Sequence, residues 1–360
     1  MRVAVVGAGA IGAYMGACLQ RAGADVSLIA RGDNLAALRS RGVEVLSPRG
    51  GFQVAPHATD DPAEIGPVDH VILGLKAYSY ASSGPLVHPL LKEDTTVIAA
   101  QNGIPWWYFH GLRGPHEGHR IETVDPGGAV SRVLPPHRAI GCVVYAATEL
   151  DAPGVVRHRE GTRFSIGEPD GSDSARCREF SDAMIAGGLK CPVEDDIRRD
   201  VWIKLMGNVA FNPISALTGA TLAGMCRHPG VRELVAALMR ETLQIAAALG
   251  CHPDIAVERR LAGAERTGEH KTSTLQDLER GKPLELAAML TAVVELADLV
   301  GADAPTLRTV NALGDLLGQR LAPREPAPRE PAPREPAPRE PAPREPAVRE
   351  PAGAGPNSRE

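Results

Sequence analysis

A glycine motif near the N-terminus constrains the fold more than any other feature of this sequence. Gly7, Gly9 and Gly12 form a G-x-G-x-x-G motif directly after the apolar run RVAVV (2–6) and directly before a helical run. In a strand–turn–helix unit the first glycine permits a tight turn, the second lets the backbone approach a pyrophosphate, and the third lets helix and strand pack closely. The helix N-terminus offers phosphates free N–H groups and a positive dipole end. An ordinary glycine turn is the alternative. The motif predicts a cofactor-binding segment consisting of Gly7, Ala8, Gly9, Ala10, Ile11 and Gly12.

Strand-like and helical runs alternate through the first half of the chain. Buried strands are predicted at 2–6, 25–29, 68–75 and 95–100, with connecting helices near 11–22, 33–41 and 79–91. Such alternation favours a parallel sheet with helices on both faces, the doubly wound Rossmann-type arrangement. Further β-like runs at 139–149, 154–158 and 162–169 extend this domain and are expected to include antiparallel strands.

From about residue 174 the pattern becomes helical. Apolar residues at helical spacing predict helices at 232–250, 283–301 and 306–321, and a glycine closes each of the first two. The predicted fold class is therefore α/β, with a Rossmann-type dinucleotide-binding domain at 1–173 and an all-α domain at 174–321.

The C-terminal tail is a low-complexity repeat. From Ala322 the unit Ala-Pro-Arg-Glu-Pro occurs five times and is followed by a variant that contains Val348. Two prolines in every five residues forbid a regular helix or a central strand, and the unit has no large apolar side chain to bury. We expect residues 322–360 to form a disordered, polyproline-like tail without a catalytic role, although a spacer or docking segment is the functional alternative.

Composition and charge exclude several classes of protein. The net charge of −5 gives no general attraction to nucleic acid or to an anionic membrane. The first 18 residues vaguely resemble a lipoprotein signal peptide, but the glycine motif explains them better. No segment approaches the roughly 20 apolar residues that a membrane span needs. The six cysteines show no CxxC spacing, which favours a reduced, cytoplasmic protein over a disulfide framework.

The residue at the end of the second strand indicates which nicotinamide cofactor binds. An NAD site usually has an acidic residue there, whereas this strand is followed by Arg31. A guanidinium can pair with a 2′-phosphate, so NADP(H) is favoured over NAD(H). Asp33 is better placed to cap the next helix. Lys76 supplies a second positive charge or is simply an exposed lysine, and Asn102 either contacts the nicotinamide ribose or a substrate oxygen or belongs to an ordinary Asn-Gly turn.

Three polar residues lie four positions apart in an otherwise apolar segment. Lys204, Asn208 and Asn212 fall within VWIKLMGNVAFNPISALTG and line one narrow stripe of the predicted helix. A buried lysine is costly unless an anion or a hydrogen-bonding partner meets it, so the stripe indicates a catalytic pocket. Further along, Ser273 and Glu285 are candidate partners. Their structural alternatives are a capping box with Gln276 for Ser273 and a place in the first turn of a helix beginning near Pro283 for Glu285.

Taken together, these segments resemble the ketopantoate reductase (2-dehydropantoate 2-reductase) family from Met1 to about Leu321. The resemblance is carried by GAGAIG, by LK at 75–76, by QNG at 101–103, by WIKLMGNVAFNPISAL at 202–217 and by TSTLQDLERGKPLEL at 272–286. It implies an NADPH-dependent oxidoreductase that reduces a 2-oxo acid to a 2-hydroxy acid on the route to pantothenate and coenzyme A.

The resemblance also implies roles for individual residues. Lys204 is similar to the family's general acid. The implied substrate contacts are Asn102, Asn208, Asn212 and Ser273, and the implied cofactor contacts are Arg31, Lys76, Asn102, Ala146 and Glu285, with Glu285 also placed to hold the Lys204 ammonium. No metal is expected.

Two departures from the family leave the substrate open. A further substrate asparagine of the family is replaced at the matching place by Leu222. An insertion at 104–138, which contains WWYFH (106–110), could reshape the pocket mouth or form a homodimer contact, or its aromatic residues could pack in the core. The alternatives are a related NADP-dependent 2-oxo-acid, β-hydroxyacid or opine dehydrogenase, and a non-catalytic NADPH-binding regulator.

Overall fold

A computed structural model describes residues 1–321 and Gly353, so the predicted disorder of 322–360 concerns residues that, apart from this glycine, lie outside the described part. Within this part the strands are β1 (Arg2–Val6), β2 (Asp25–Ile29), β3 (Val43–Leu46), β4 (Phe52–Val54), β5 (His57–Thr59), β6 (His70–Leu73), β7 (Thr96–Ala99), β8 (Ala139–Val144), β9 (Ala147–Ala152), β10 (Val155–Glu160) and β11 (Phe164–Gly167).

The helices follow the same chain order. They are α1 (Ala10–Arg21), α2 (Gly32–Arg41), α3 (Gly84–Val87), α4 (Ala129–Val133), α5 (Ala175–Ala186), α6 (Ile197–Thr218), α7 (Leu222–Arg227), α8 (Pro229–Ala248), α9 (Val257–Thr267), α10 (Ser273–Glu279), α11 (Ala292–Val300) and α12 (Pro305–Leu321). One π-helical turn, Ala287–Thr291, leads directly into α11. No helix among the described residues is long and apolar enough to cross a membrane.

The main sheet has seven strands in the order β11-β8-β7-β6-β1-β2-β5. All neighbours are parallel except β11 and β8, which are antiparallel. Strand order reverses around β1, and the carboxyl ends of β1, β6 and β7 therefore meet at one edge. Ligands of open α/β sheets bind at this edge. The predicted Rossmann-type sheet is confirmed, as are the expected antiparallel strands.

A second, four-stranded sheet in the order β4-β3-β10-β9 was not predicted. Its strands β3 and β4 are only four and three residues long, too short for a clear alternating pattern. Helix α1 lies between this sheet and the main sheet, and its small residues, such as Gly16 and Ala17, are buried there.

The two faces of the main sheet belong to different hydrophobic cores. Val3 and Val5 point into the core shared with α1, whereas Ala4 and Val6 point to the opposite face, as strand alternation requires. That opposite core continues through the aromatic residues of the insertion into the helices of the C-terminal region. Residues 1–321 consequently form one compact unit, and the predicted boundary at 173/174 stays a prediction.

Several predicted elements differ in detail. The helix predicted at 79–91 is three short pieces, because Pro85 and Pro89 interrupt it. The run at 139–149 is divided between β8 and β9. The helix predicted from Pro283 begins later, at Leu286, and opens with the π-helical turn. The last predicted helix, at 306–321, is confirmed by α12 to within one residue.

Candidate active site

The glycine motif forms the tight turn between β1 and α1. Gly7 has φ +95°, and a β-carbon there would lie 2.8 Å from a methyl group of Leu75. A β-carbon at Gly12 would collide with the carbonyl of Gly7 and approach Val5 to 3.0 Å, so only glycine lets α1 approach the strand this closely. At Gly9, the N-cap of α1, the nearest heavy atom would be 3.7 Å away. The backbone before α1 is therefore open on the side where a pyrophosphate would lie.

Arg31 lies at the end of β2 and is exposed, beside the glycine turn. It occupies the N-cap position of α2 without a side-chain cap, and Asp33 lies inside the first turn, so the expected cap by Asp33 is wrong. Asn34, which was not predicted to contribute, also lies at this turn. Its side chain donates to the carbonyl of Ala8 at 2.9 Å and accepts from the Gly154 amide at 2.9 Å, which fastens α2 to the glycine turn.

Lys204 and Asn208 line a small recess, open to solvent, between α6 and the carboxyl ends of the central strands. Gln101, Gly103, Trp107 and Cys142 form the facing walls. Trp107 was missed because its contribution depends on how the insertion folds back over the sheet, and Gln101 and Cys142 were missed because only the packing of α6 on the strand ends brings them to Lys204.

Burial lowers the pKa of Lys204 to about 8. The nearby Arg260 guanidinium contributes to this lowering, and the Glu285 carboxylate partly opposes it. The same recess raises the pKa of the Cys142 thiol to about 12 through burial, so this thiol is neutral near pH 7. Lys204 is thus an amine that can both hold and release a proton near neutral pH.

Glu285 does not bind Lys204 directly. It accepts a 2.6 Å hydrogen bond from Lys76, and Asp277 accepts a second one from the same ammonium at 2.9 Å. Glu285 also accepts from the Ala77 amide at 3.3 Å. Burial alone would lower the pKa of Lys76, but the two carboxylates outweigh this effect and raise it. Lys76 is therefore a partly buried lysine with two acidic partners. The described residues show no hydrogen bond between Glu285 and Lys204, so the predicted contact between them is absent there.

The remaining predicted site residues are not among those that line this recess. Asn212 lies deeper on α6, where it is buried and its side-chain amide faces the sulfur of Met289 at 3.5 Å. Asn102 is half-buried in the loop after β7, and Ala146 is half-buried between β8 and β9. Ser273 is exposed at the first position of α10. The N-cap of this helix is Thr272, which accepts from the Leu275 amide at 3.2 Å, so a capping role for Ser273 is wrong.

The loop after β7 is pinned to the helical region. Gly103 has φ +89°, and a β-carbon there would lie 2.8 Å from the β-carbon of Ala288. The Ile104 amide donates to the carbonyl of Ala288 at 2.8 Å. Ala288 belongs to the π-helical turn, an irregularity that is frequent at functional sites. This contact fixes Asn102 and Gln101 between the sheet edge and the helices.

A polar group beside Lys204 was also missed. Asp200, one turn before Lys204 on α6, is buried and accepts hydrogen bonds from Tyr145 at 3.1 Å and from Arg163 at 3.2 Å. These contacts join α6 to the segment that carries Ala146. An acid in the middle of the chain that pairs with residues 37 and 55 positions away leaves no local sequence signal.

Comparison with known proteins identifies the family. The family model described as "Ketopantoate reductase PanE/ApbA" matches residues 3–171, and its C-terminal counterpart matches residues 196–316. The chain therefore belongs to the ketopantoate reductase family, and the resemblance drawn from the sequence is confirmed.

Individual relatives span almost the whole described chain. A 2-dehydropantoate 2-reductase of Mesorhizobium japonicum is 48% identical over 315 residues, which is 87% of this chain and 96% of the relative. One from Archaeoglobus fulgidus is 30% identical and covers 86% of this chain and 95% of its own length. A crystal structure of 2-dehydropantoate 2-reductase from Geobacter metallireducens superposes with a TM-score of 0.77 at 31% identity, covering 88% of this chain and 100% of the other.

Proposed function

We propose that this protein reduces 2-dehydropantoate to pantoate with NADPH. The observation that carries the proposal is the recess beside the sheet edge, where Lys204 and Asn208 face the ends of β7 and β8 and burial lowers the pKa of Lys204 to about 8. Reduction of a ketone places negative charge on oxygen, which needs a proton donor at that position. Family membership and the relatives' names favour 2-dehydropantoate among 2-oxo acids.

The glycine turn and Arg31 are the residues that would hold the cofactor. The open backbone before α1 fits a pyrophosphate, and the exposed Arg31 guanidinium at the end of β2 fits a 2′-phosphate. When bound, the nicotinamide supplies the hydride. We assign Ala146, Asn102, Lys76 and Glu285 to cofactor binding by their positions around the same edge.

The chain's own residues complete the chemistry. Lys204 hydrogen-bonds the ketone oxygen and gives it a proton as the hydroxyl forms. We assign Asn208, Asn212, Asn102 and Ser273 to positioning the substrate. Trp107 and the insertion cover the recess and limit the access of water.

Steady-state kinetics tests the reaction and the cofactor together. Oxidation of NADPH and of NADH is followed with 2-dehydropantoate and with a panel of other branched 2-oxo acids. We expect the highest kcat/KM for 2-dehydropantoate with NADPH. Tight NADPH binding without turnover on any of these acids would instead identify a non-catalytic regulator.

Cofactor choice is tested at Arg31. Because a charge-assisted bidentate pair with phosphate is lost, we expect Arg31→Ala to raise the KM for NADPH about 10- to 100-fold and to leave the KM for NADH nearly unchanged. Arg49→Ala is the matched control, since Arg49 is also exposed in the same domain. Equal changes for the two cofactors in Arg31→Ala would contradict the assignment.

A further inference from the structure

An arginine outside all predicted site residues lies against the polar stripe. Arg260, in α9, places its guanidinium on the backbone of Gly207 in α6. A β-carbon built at Gly207 would lie 2.8 Å from Nε and 2.9 Å from Cζ of Arg260. Gly207 follows Lys204 by three residues and directly precedes Asn208, so the guanidinium lies on the side of α6 that carries Lys204.

Gly207 leaves space on α6 for the Arg260 guanidinium. Glycine inside a helix is destabilising relative to alanine. Gly207 is buried near the middle of a 22-residue helix, far from either end, so no cap explains it. Any side chain at this position would displace the Arg260 guanidinium. The helix therefore carries an unfavourable residue that makes room for this cation.

The Arg260 guanidinium lacks partners of the kind that Arg198 and Arg163 have. Its Nε is buried without a hydrogen-bond acceptor anywhere in the described chain. By contrast, Arg198 donates to three backbone carbonyls, and Arg163 pairs with Glu194 and Asp200. Burial lowers the pKa of Arg260, and Tyr145 is the group that opposes this shift. A half-buried guanidinium with unsatisfied donors is a receptor for an anion.

Arg260 and Lys204 lie within each other's electrostatic field. The positive charge of Arg260 contributes to the lowered pKa of Lys204. Glu285 is the carboxylate that raises the pKa of Lys204, but it already accepts a hydrogen bond from Lys76. Two cations thus lie on one side of α6, and neither has a hydrogen-bonded acidic partner among the described residues.

We propose that Arg260 binds the carboxylate of the 2-oxo acid substrate. This inference rests on the proposed function, and it assigns two neighbouring groups of the substrate, the carboxylate and the ketone, to Arg260 and Lys204 respectively. The carboxylate and the ketone of a 2-oxo acid are on adjacent carbons, so an anion held by Arg260 directs its ketone oxygen towards Lys204. A guanidinium offers the planar pair of donors that a carboxylate accepts in bidentate fashion.

Paired substrates isolate the contribution of the carboxylate. Kinetics with NADPH is measured for 2-dehydropantoate and for its neutral methyl ester, using wild-type enzyme, Arg260→Met and Arg260→Lys. We expect Arg260→Met to raise the KM for the acid about 10- to 100-fold, because a charged hydrogen-bonded pair is lost. The KM for the ester should stay within about threefold, and Arg260→Lys should fall between wild type and Arg260→Met for the acid.

Arg259→Met is the matched control, because Arg259 is the exposed neighbour on the same helix. It should leave the kinetics with both substrates unchanged. A loss in Arg260→Met that is equal for acid and ester would show a structural role and overturn the proposal. So would an unchanged KM for the acid.

A binding measurement separates this inference from the proposed function. Oxamate, an unreactive analogue of a 2-oxo acid, is titrated into the NADPH complex by calorimetry. We expect binding to wild type and to Arg259→Met and its loss in Arg260→Met, while NADPH affinity is retained. Equal oxamate affinity in wild type and Arg260→Met, or no binding to wild type, would overturn the role of Arg260. Wild type that binds oxamate through Arg260 but does not reduce 2-dehydropantoate would refute only the proposed substrate.

Discussion

Lys204 is a largely desolvated cation. Among the described residues, no carboxylate forms a hydrogen bond with its ammonium group. Burial and the charge of Arg260 both stabilise its neutral form, which is why its pKa falls to about 8. A proton donor with a pKa near the working pH transfers its proton efficiently and is also reprotonated readily. The position of Lys204 in the recess thus explains its proposed role as general acid.

The pH dependence of turnover tests this role. Lys204 donates only when it is protonated, so kcat/KM should be level below pH 8 and should fall about tenfold per pH unit above it. We expect Lys204→Met to lower kcat by about 10²- to 10⁴-fold without weakening NADPH binding. An unchanged pH profile in a Lys204→Arg variant that remains active would contradict the assignment.

Residue spacing predicted part of this site. The four-residue interval correctly placed Lys204 and Asn208 in one recess, because helical geometry alone decides that they share a face. The same interval did not predict that Asn212 lies deeper than the other two residues, against Met289. Nor could it predict that Glu285 pairs with Lys76. Those partners are 77 and 209 positions away in the chain, and only packing selects them.

At the scale of single elements, β6 contains a histidine that is almost fully buried. His70 is 2% exposed, its Nδ1 lies 2.5 Å from Thr96 Oγ1 on β7, and its ring packs against Phe180 of α5. Burial lowers its pKa from 6.5 to about 4. The neutral imidazole of His70 therefore contributes to the packing of β6 against β7 through its hydrogen bond with Thr96.

His70 should make stability depend on pH. Its pKa is depressed in the fold, so its contribution is complete above pH 6.5 and is lost as pH falls from about 6.5 to about 4. The expected loss in the free energy of unfolding is roughly 3 kcal/mol.

Chemical denaturation across this pH range provides the measurement. His70→Leu should show a weaker dependence on pH than wild type, whereas His57→Gln, at an exposed position of β5, should follow wild type. If His70→Leu loses stability on acidification as steeply as wild type, other groups are responsible.

Elements with strong patterns were predicted well and irregular ones were not. β1 and β2 match their predicted bounds, and α12 differs by one residue, since apolar runs and helical periodicity are local signals. The π-helical turn at 287–291 was missed. It depends on the contact between Ala288 and the loop at Gly103, which the sequence does not encode locally.

Across the whole molecule, one buried arginine joins three separate parts of the chain. Arg198, at the start of α6, donates to the carbonyls of Tyr108 at 2.7 Å and His110 at 2.7 Å in the insertion, and to that of Pro169 after β11. Trp202, one turn later, donates to the Tyr108 hydroxyl at 2.7 Å. The insertion is thereby fixed as part of the core, in agreement with the core-packing alternative for its aromatic residues.

Loss of this junction should destabilise the protein as a unit. Arg198→Met leaves three carbonyls without their donor, two of them in contacts that are fully buried, so we expect a loss of about 3–5 kcal/mol in the free energy of unfolding. Arg199→Met is the control. Its surface ion pair with Asp195 should contribute about 0–1 kcal/mol. Similar stability losses in the two variants, measured by urea denaturation, would show that Arg198 does not join these parts.

The sequence by itself determined the Rossmann-type turn, the helical C-terminal region, the family and the lysine stripe. Each of these depends on neighbours within about one strand or helix, where backbone geometry fixes the outcome. Tertiary structure alone decided what the charged side chains contact: Lys76 pairs with Glu285 and Asp277, Asp200 accepts from Tyr145 and Arg163, and Arg260 lies against Gly207. Burial and long-range packing determine these contacts, because a buried charged side chain is stabilised by the partners that the fold brings within hydrogen-bonding distance.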